Sequence, residues 1–172
     1  MKPLQKKQLG CNRSVCISFL QQRGVSVEEI ASLVLILQKP YLPDLTLTEC
    51  IENVNCVLEK REVQNAILTG LTLDTLTEKG VVPEPLNSII RNDDALYGID
   101  EILSLSIVNV YGSIGFTNFG YLDKLKPGVI GKLNKDKGTT VNTFIDDLIA
   151  ALAAATAARI AHRVQSESNT SE

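Results

Sequence analysis

Two pairs of adjacent acids interrupt the most apolar stretches of the chain: Asp100 and Glu101 between Ile99 and Ile102, and Asp146 and Asp147 between Ile145 and Leu148. Burying a carboxylate costs several kcal/mol unless it is protonated, paired or bound to a cation, so both pairs call for a partner. A third segment, Leu122, Asp123, Lys126, Pro127, sets an acid and a base three residues apart on one helical face. Carboxylates converging from separate helices, with no His or Cys among them, make the all-oxygen environment that suits Mg²⁺ or Mn²⁺ better than zinc. In such a site Asp123 would join the metal and Lys126 would take a phosphate oxygen, two roles that phosphoryl-transfer chemistry needs. Each segment also has a plainer reading. Acids in a first helical turn complement the macrodipole and cap free amides, and Asp123 with Lys126 makes a local salt bridge. Taken one at a time, the spacings favour the plainer readings.

The elements that must position these residues are helical. Apolar residues recur at helical spacing from about Leu9 to Arg23 and from Ser26 to Gln38, with Gly24 as a stop between them. Ser26 with Glu29, and Thr46 with Glu49, have the spacing of capping boxes. Leu47 to Lys79 stays helical in pattern, with the charged run Glu59 to Glu62 predicting a break into two helices. A short helix is predicted from Pro83 or Pro85 to Arg91, a polar turn at Asn92 to Asp94, and another helix from Leu96 to Tyr111 that breaks near Gly112. Pro127 ends or opens a helix, and Asn134 to Thr140, with Gly138, reads as a polar loop. The final helix, about Thr143 to Arg163, is apolar almost all round, the mark of a helix surrounded by others. The fold class is therefore all-α: a single-domain helical bundle over residues 1–164 with one central apolar helix, and a polar tail over 165–172.

Composition removes several function classes. The formal charge of −3, with no concentration of Lys or Arg, argues against a nucleic-acid partner. The absence of Trp removes the usual interfacial anchors, and the longest apolar stretch, Leu148 to Ala158, falls short of the roughly 20 residues needed to cross a bilayer. The N-terminal residues lack the apolar core of a signal peptide, so a cytoplasmic chain is expected, one that could at most lie against the inner face of the membrane. Cys11, Cys16, Cys50 and Cys56 lack zinc or redox spacing and read as reduced core residues, and His162 reads as part of a basic, solvated helix end with Arg159 and Arg163.

Taken together and in this order, the three acidic segments resemble the phosphatidylglycerophosphatase A family, in its soluble YutG-like branch. The resemblance rests on an apolar helix with Asp100 and Glu101, then Leu122 to Pro127 followed by Ile130, then the Gly138 loop and an apolar helix opening with Asp146 and Asp147. It covers roughly Asp93 to Arg163. It implies Mg²⁺-dependent removal of the terminal phosphate of phosphatidylglycerol phosphate, giving phosphatidylglycerol. By the same resemblance Asp100, Glu101, Asp123, Asp146 and Asp147 would hold Mg²⁺ (or Mn²⁺) and do the catalysis, with Lys126 on the phosphate. The partner is then a phosphate ester, and a lipid ester would have to be met at the membrane surface. The Gly/Ser/Pro-rich opening loop of the membrane-embedded enzymes has no counterpart before Asp100. That departure supports a second expectation, a metal-binding, homo-oligomeric scaffold without turnover. A third class, the all-α nucleotide pyrophosphohydrolases, relies on acids three residues apart on one helical face, unlike the adjacent pairs here.

Overall fold

The computed structural model describes residues 12–135 and 140–169, the last three of these by backbone alone. Cys11, Gly138 and the end of the expected tail lie outside the described residues. Within them the chain forms α1 (Arg13–Gln22), α2 (Val27–Gln38), α3 (Leu47–Leu58), α4 (Arg61–Glu78), α5 (Leu86–Asn92), α6 (Ile99–Val108), α7 (Ser113–Leu125), α8 (Gly128–Lys135) and α9 (Ile145–Asn169), with no strand among them. Both expected capping boxes are formed: the Ser26 and Thr46 side chains accept the N–H groups of Glu29 and Glu49, whose carboxylates accept in return. The charged run at 59–62 divides α3 from α4 as the pattern predicts.

α9 is the axis. Every residue from Thr143 to Ala158 is buried, and α2, α3, α4, α6, α7 and α8 all pack against this helix. The alanines that fill its middle give it a thin waist, so the larger aliphatic side chains of its neighbours supply the core volume. α4 approaches the start of α9 closely. A Cβ on Gly70 would stand 2.7 Å from Leu148 Cδ1 and 3.0 Å from Phe144 Cβ, so only glycine lets α4 lie this close to the start of α9.

Two local expectations change. The last helix runs past Arg163 to Asn169, with the Ser166 hydroxyl donating back to the His162 carbonyl at 2.9 Å, so the start of the expected tail is helical and His162 lies inside a helix. Cys16 and Cys50 are buried as expected, but Cys56 is exposed, because it falls on the outer face of α3. No helix among the described residues is long and apolar enough to cross a membrane.

Candidate functional site

The site is assembled where α7 stops. Lys126 adopts a left-handed backbone (φ 44°) and Pro127, which has no N–H, cannot continue the helix. The Lys126 N–H still donates to the Leu122 carbonyl at 2.7 Å. The turn into α8 is so tight that a Cβ on Gly131 would collide with the Lys126 carbonyl oxygen, which only a glycine avoids. This geometry delivers the lysine to the first turn of α9, with Nζ 3.0 Å from Asp146 Oδ2 and 3.2 Å from Asp123 Oδ1. The local Asp123–Lys126 pair exists, and the same ammonium joins it to an acid on another helix.

Negative charge exceeds positive here. Asp146 and Asp147 are 7% and 6% exposed, and Asp100, in the first turn of α6, is half-buried with Oδ1 lacking a hydrogen-bond partner among the described residues. Burial pushes the Asp147 carboxyl up to about 8, with the neighbouring Asp146 charge adding to the shift and Lys126 opposing it. Burial likewise raises Asp146 against the pull of Lys126, and raises Asp100. Burial works to lower the Lys126 ammonium, but the charge and hydrogen bond of Asp146, joined by Asp123, outweigh it and hold the lysine above its ordinary value. Asp100 and Asp123 both act on Asp147, so Asp100, Asp123, Asp146 and Asp147 share one electrostatic neighbourhood with Lys126. Glu101 stands apart. About 100° round the helix from Asp100, it is exposed and forms no ion pair among the described residues.

The sequence reading missed an acid at the centre of this arrangement. Asp74 on α4 is fully buried and reaches across to the start of α9, where Oδ1 accepts the Phe144 N–H at 3.2 Å and Oδ2 accepts the Ile145 N–H at 3.1 Å. Burial pushes its carboxyl up to about 8, opposed by the Phe144 N–H and by Arg23. A signal was present: Asp74 continues the apolar stripe Ile67, Gly70, Leu71 at helical spacing, where an acid is out of place. Arg23 was missed as well. Its guanidinium pairs with Glu78 at 2.6 Å and donates to Asn142 Oδ1 at 2.9 Å, while Glu78 accepts the Val141 N–H at 2.7 Å. The segment leading into α9 is thus clamped by side chains from the C-terminal cap of α1 and from α4. Beside it lies a polar cavity of about 240 Å³ bounded by Arg91, Asp93, Asn134, Asn142 and Asp146.

By its chemistry this donor set fits a hard divalent cation: all-oxygen, overcharged, with one orphaned carboxylate oxygen at Asp100. Such a cage is not preassembled, since among the described residues no three His, Cys, Asp or Glu side chains are grouped to hold an ion, and the cation the acids meet is Lys126.

The sequence profile of the family described as phosphatidylglycerophosphatase A matches residues 16–162. The chain belongs to the phosphatidylglycerophosphatase A family. Within it, the Bacillus subtilis protein YutG, itself uncharacterised, is 55% identical over 146 residues, which are 85% of this chain and 88% of YutG. Among solved structures, the low temperature requirement C protein of Listeria monocytogenes superposes with a TM-score of 0.86 at 57% identity, covering 89% of this chain and 96% of that one. A Bacillus stearothermophilus protein of unknown function superposes with a TM-score of 0.85 at 62% identity, covering 88% and 94%. The expected YutG-like branch is therefore the right one. All the acids above, with Lys126, fall inside the stretch that matches the phosphatidylglycerophosphatase A family.

Proposed function

We propose that the chain is a Mg²⁺-dependent phosphatase acting on a phosphate monoester, with phosphatidylglycerol phosphate as the first substrate to try. What carries this reading is Lys126, held between Asp123 and Asp146 at the mouth of a buried group of acids, on a chain of the phosphatidylglycerophosphatase A family. Asp100, Asp123, Asp146 and Asp147 would hold the cation, with Glu101 joining only after a change of side-chain position. Bound Mg²⁺ would supply Lewis acidity toward the phosphoryl oxygens and the positive charge these carboxylates lack. The ammonium of Lys126 takes a phosphate oxygen when it leaves Asp146. Asp74 does not meet substrate; by capping Phe144 and Ile145 it fixes the direction in which the next two residues, Asp146 and Asp147, leave the helix. The polar cavity bounded by Arg91 and Asn142 has room for a hydrophilic headgroup beside Asp146.

The test is phosphate release from phosphatidylglycerol phosphate, from small monoesters and from nucleoside triphosphates, with Mg²⁺ or Mn²⁺ and with chelator. Turnover of a monoester that needs metal and falls about 100-fold in Lys126→Ala is the expected result. Release from triphosphates alone would move the chain to pyrophosphohydrolase chemistry. A second reading, a family member that binds metal without turnover, is supported by the lack of a Gly/Ser/Pro-rich loop before Asp100. Heat of Mg²⁺ binding with no phosphate released from any monoester would establish that reading instead.

A further inference from the structure

We propose that the other end of α9 carries a second site, for a phosphate-bearing anion, built from Tyr111, Arg159 and Arg163. Here a cavity of about 300 Å³ opens at the surface, lined by these residues with His162 and Ser166. Two donors on residues that line it are unsatisfied: Tyr111 Oη and Arg159 Nε are buried, and neither has a hydrogen-bond partner among the described residues. Buried polar groups are nearly always partnered, and an arginine has only donors to offer, so the missing partner of Arg159 must be an acceptor. The second orphan, a phenol, can donate to the same acceptor.

The charge around the cavity has the matching sign. Lys60 Nζ lies 6.0 Å from the centroid of the Tyr111 ring, adding a third cation to Arg159 and Arg163. Among the described residues, groups that oppose them include Glu62 and the Cys56 thiol, which act on Tyr111, and Glu49, which acts on Arg163. Glu49 is already engaged in its capping box with Thr46. His162 places Nε2 3.2 Å from the Tyr111 carbonyl oxygen, which ties α9 to the segment after α6 beside the cavity.

A planar carboxylate is satisfied by one arginine in a single plane, whereas a phosphate presents oxygens in several directions. The donors here come from two elements, the phenol from the segment joining α6 to α7 and the guanidinium groups from α9, which suits the tetrahedral ion. The site is separate from the acids. Asp146 and Arg159 are about 20 Å apart along the helix at 1.5 Å per residue, so nothing here depends on hydrolysis at the acidic end.

The experiment uses the full chain in chelator. Orthophosphate and pyrophosphate are titrated by calorimetry into the wild type, Arg159→Gln, Tyr111→Phe and Lys126→Gln, each checked for helicity. In parallel, each protein is sedimented with phosphatidylglycerol vesicles and with phosphatidylcholine vesicles. Binding that weakens about tenfold in Arg159→Gln and measurably in Tyr111→Phe, and persists in Lys126→Gln, is expected. Response to the free ions assigns a soluble phosphate as ligand; response to the anionic vesicles alone assigns a lipid headgroup. If Arg159→Gln fails to fold, Tyr111→Phe decides, since it removes one oxygen. No binding in either arm, or binding that only Lys126→Gln abolishes, would overturn the proposal.

Discussion

The acidic start of α9 and the basic stretch further along it differ in how their charge is housed. Asp146 and Asp147 occupy the first turn, where the partial charge of a helix favours acids, whereas Arg159, His162 and Arg163 lie before the last turn, which holds no base. At the acidic end the charges are enclosed, capped by Asp74 from α4 and bridged by Lys126. At the basic end His162 and Arg163 are exposed and the cavity is open to solvent. A dipole contributes at most about 2 kcal/mol, which is too little to offset the burial of several carboxylates, and the raised Asp147 and Asp74 record the shortfall. Charge placement that is favourable on a surface becomes a demand for a partner once it is buried.

The largest expected break in this contrast is at the buried cap. Asp74→Ala leaves the Phe144 and Ile145 N–H groups without their acceptor and should cost about 3 kcal/mol in urea denaturation, while Asp74→Asn, which keeps one acceptor, should retain most of the stability. Next comes the contact that brings α4 to the acidic end. Gly70→Ala places a methyl against Leu148 and Phe144 and should cost about 2 kcal/mol, read in the same way. The third is a matter of pH. Asp74 and Asp147 titrate near 3.8 when unfolded and at about 8 when folded, so the folded chain holds protons that the unfolded chain has released. Metal-free stability should therefore fall as pH rises from about 4 to about 8, by up to about 1.4 kcal/mol per pH unit for each acid. Asp147→Asn should flatten that slope; a melting temperature that rises over this interval would contradict the sign. The smallest effect belongs to an exposed cap, Thr46→Ala, at about 0.5 kcal/mol, because water replaces the lost acceptor there and cannot at Asp74.

The periodicity of the sequence was enough to read most of the helices, including the division at Glu59 to Glu62, the break at Gly112 and the encircled last helix, because each is written in local spacing and capping residues, whereas Gly112, Gly115 and Gly120 masked α7. The acids at 100, 123, 146 and 147 were legible as anomalies for the same reason. What spacing could not convey is pairing between distant segments. Whether Lys126 served Asp123 alone or also Asp146 depended on a left-handed turn and on how α7 lies against α9. Asp74 went unremarked because a single acid in a helical run resembles an ordinary exposed one until its neighbours Ile67, Gly70 and Leu71 are known to be buried. Cys56 erred in the opposite direction, since an apolar residue type says little about which face of α3 it occupies.

The run of alanines through the middle of α9 has a further effect. A helix clothed in single methyl groups is close to a smooth cylinder, and a smooth cylinder fits its socket nearly equally well at many rotations. Its angular setting must then come from features at its two extremities, where Asp74 grips one and the Tyr111 carbonyl meets His162 at the other. These polar contacts index the shaft, so that the chain settles into one arrangement rather than a family of turned alternatives.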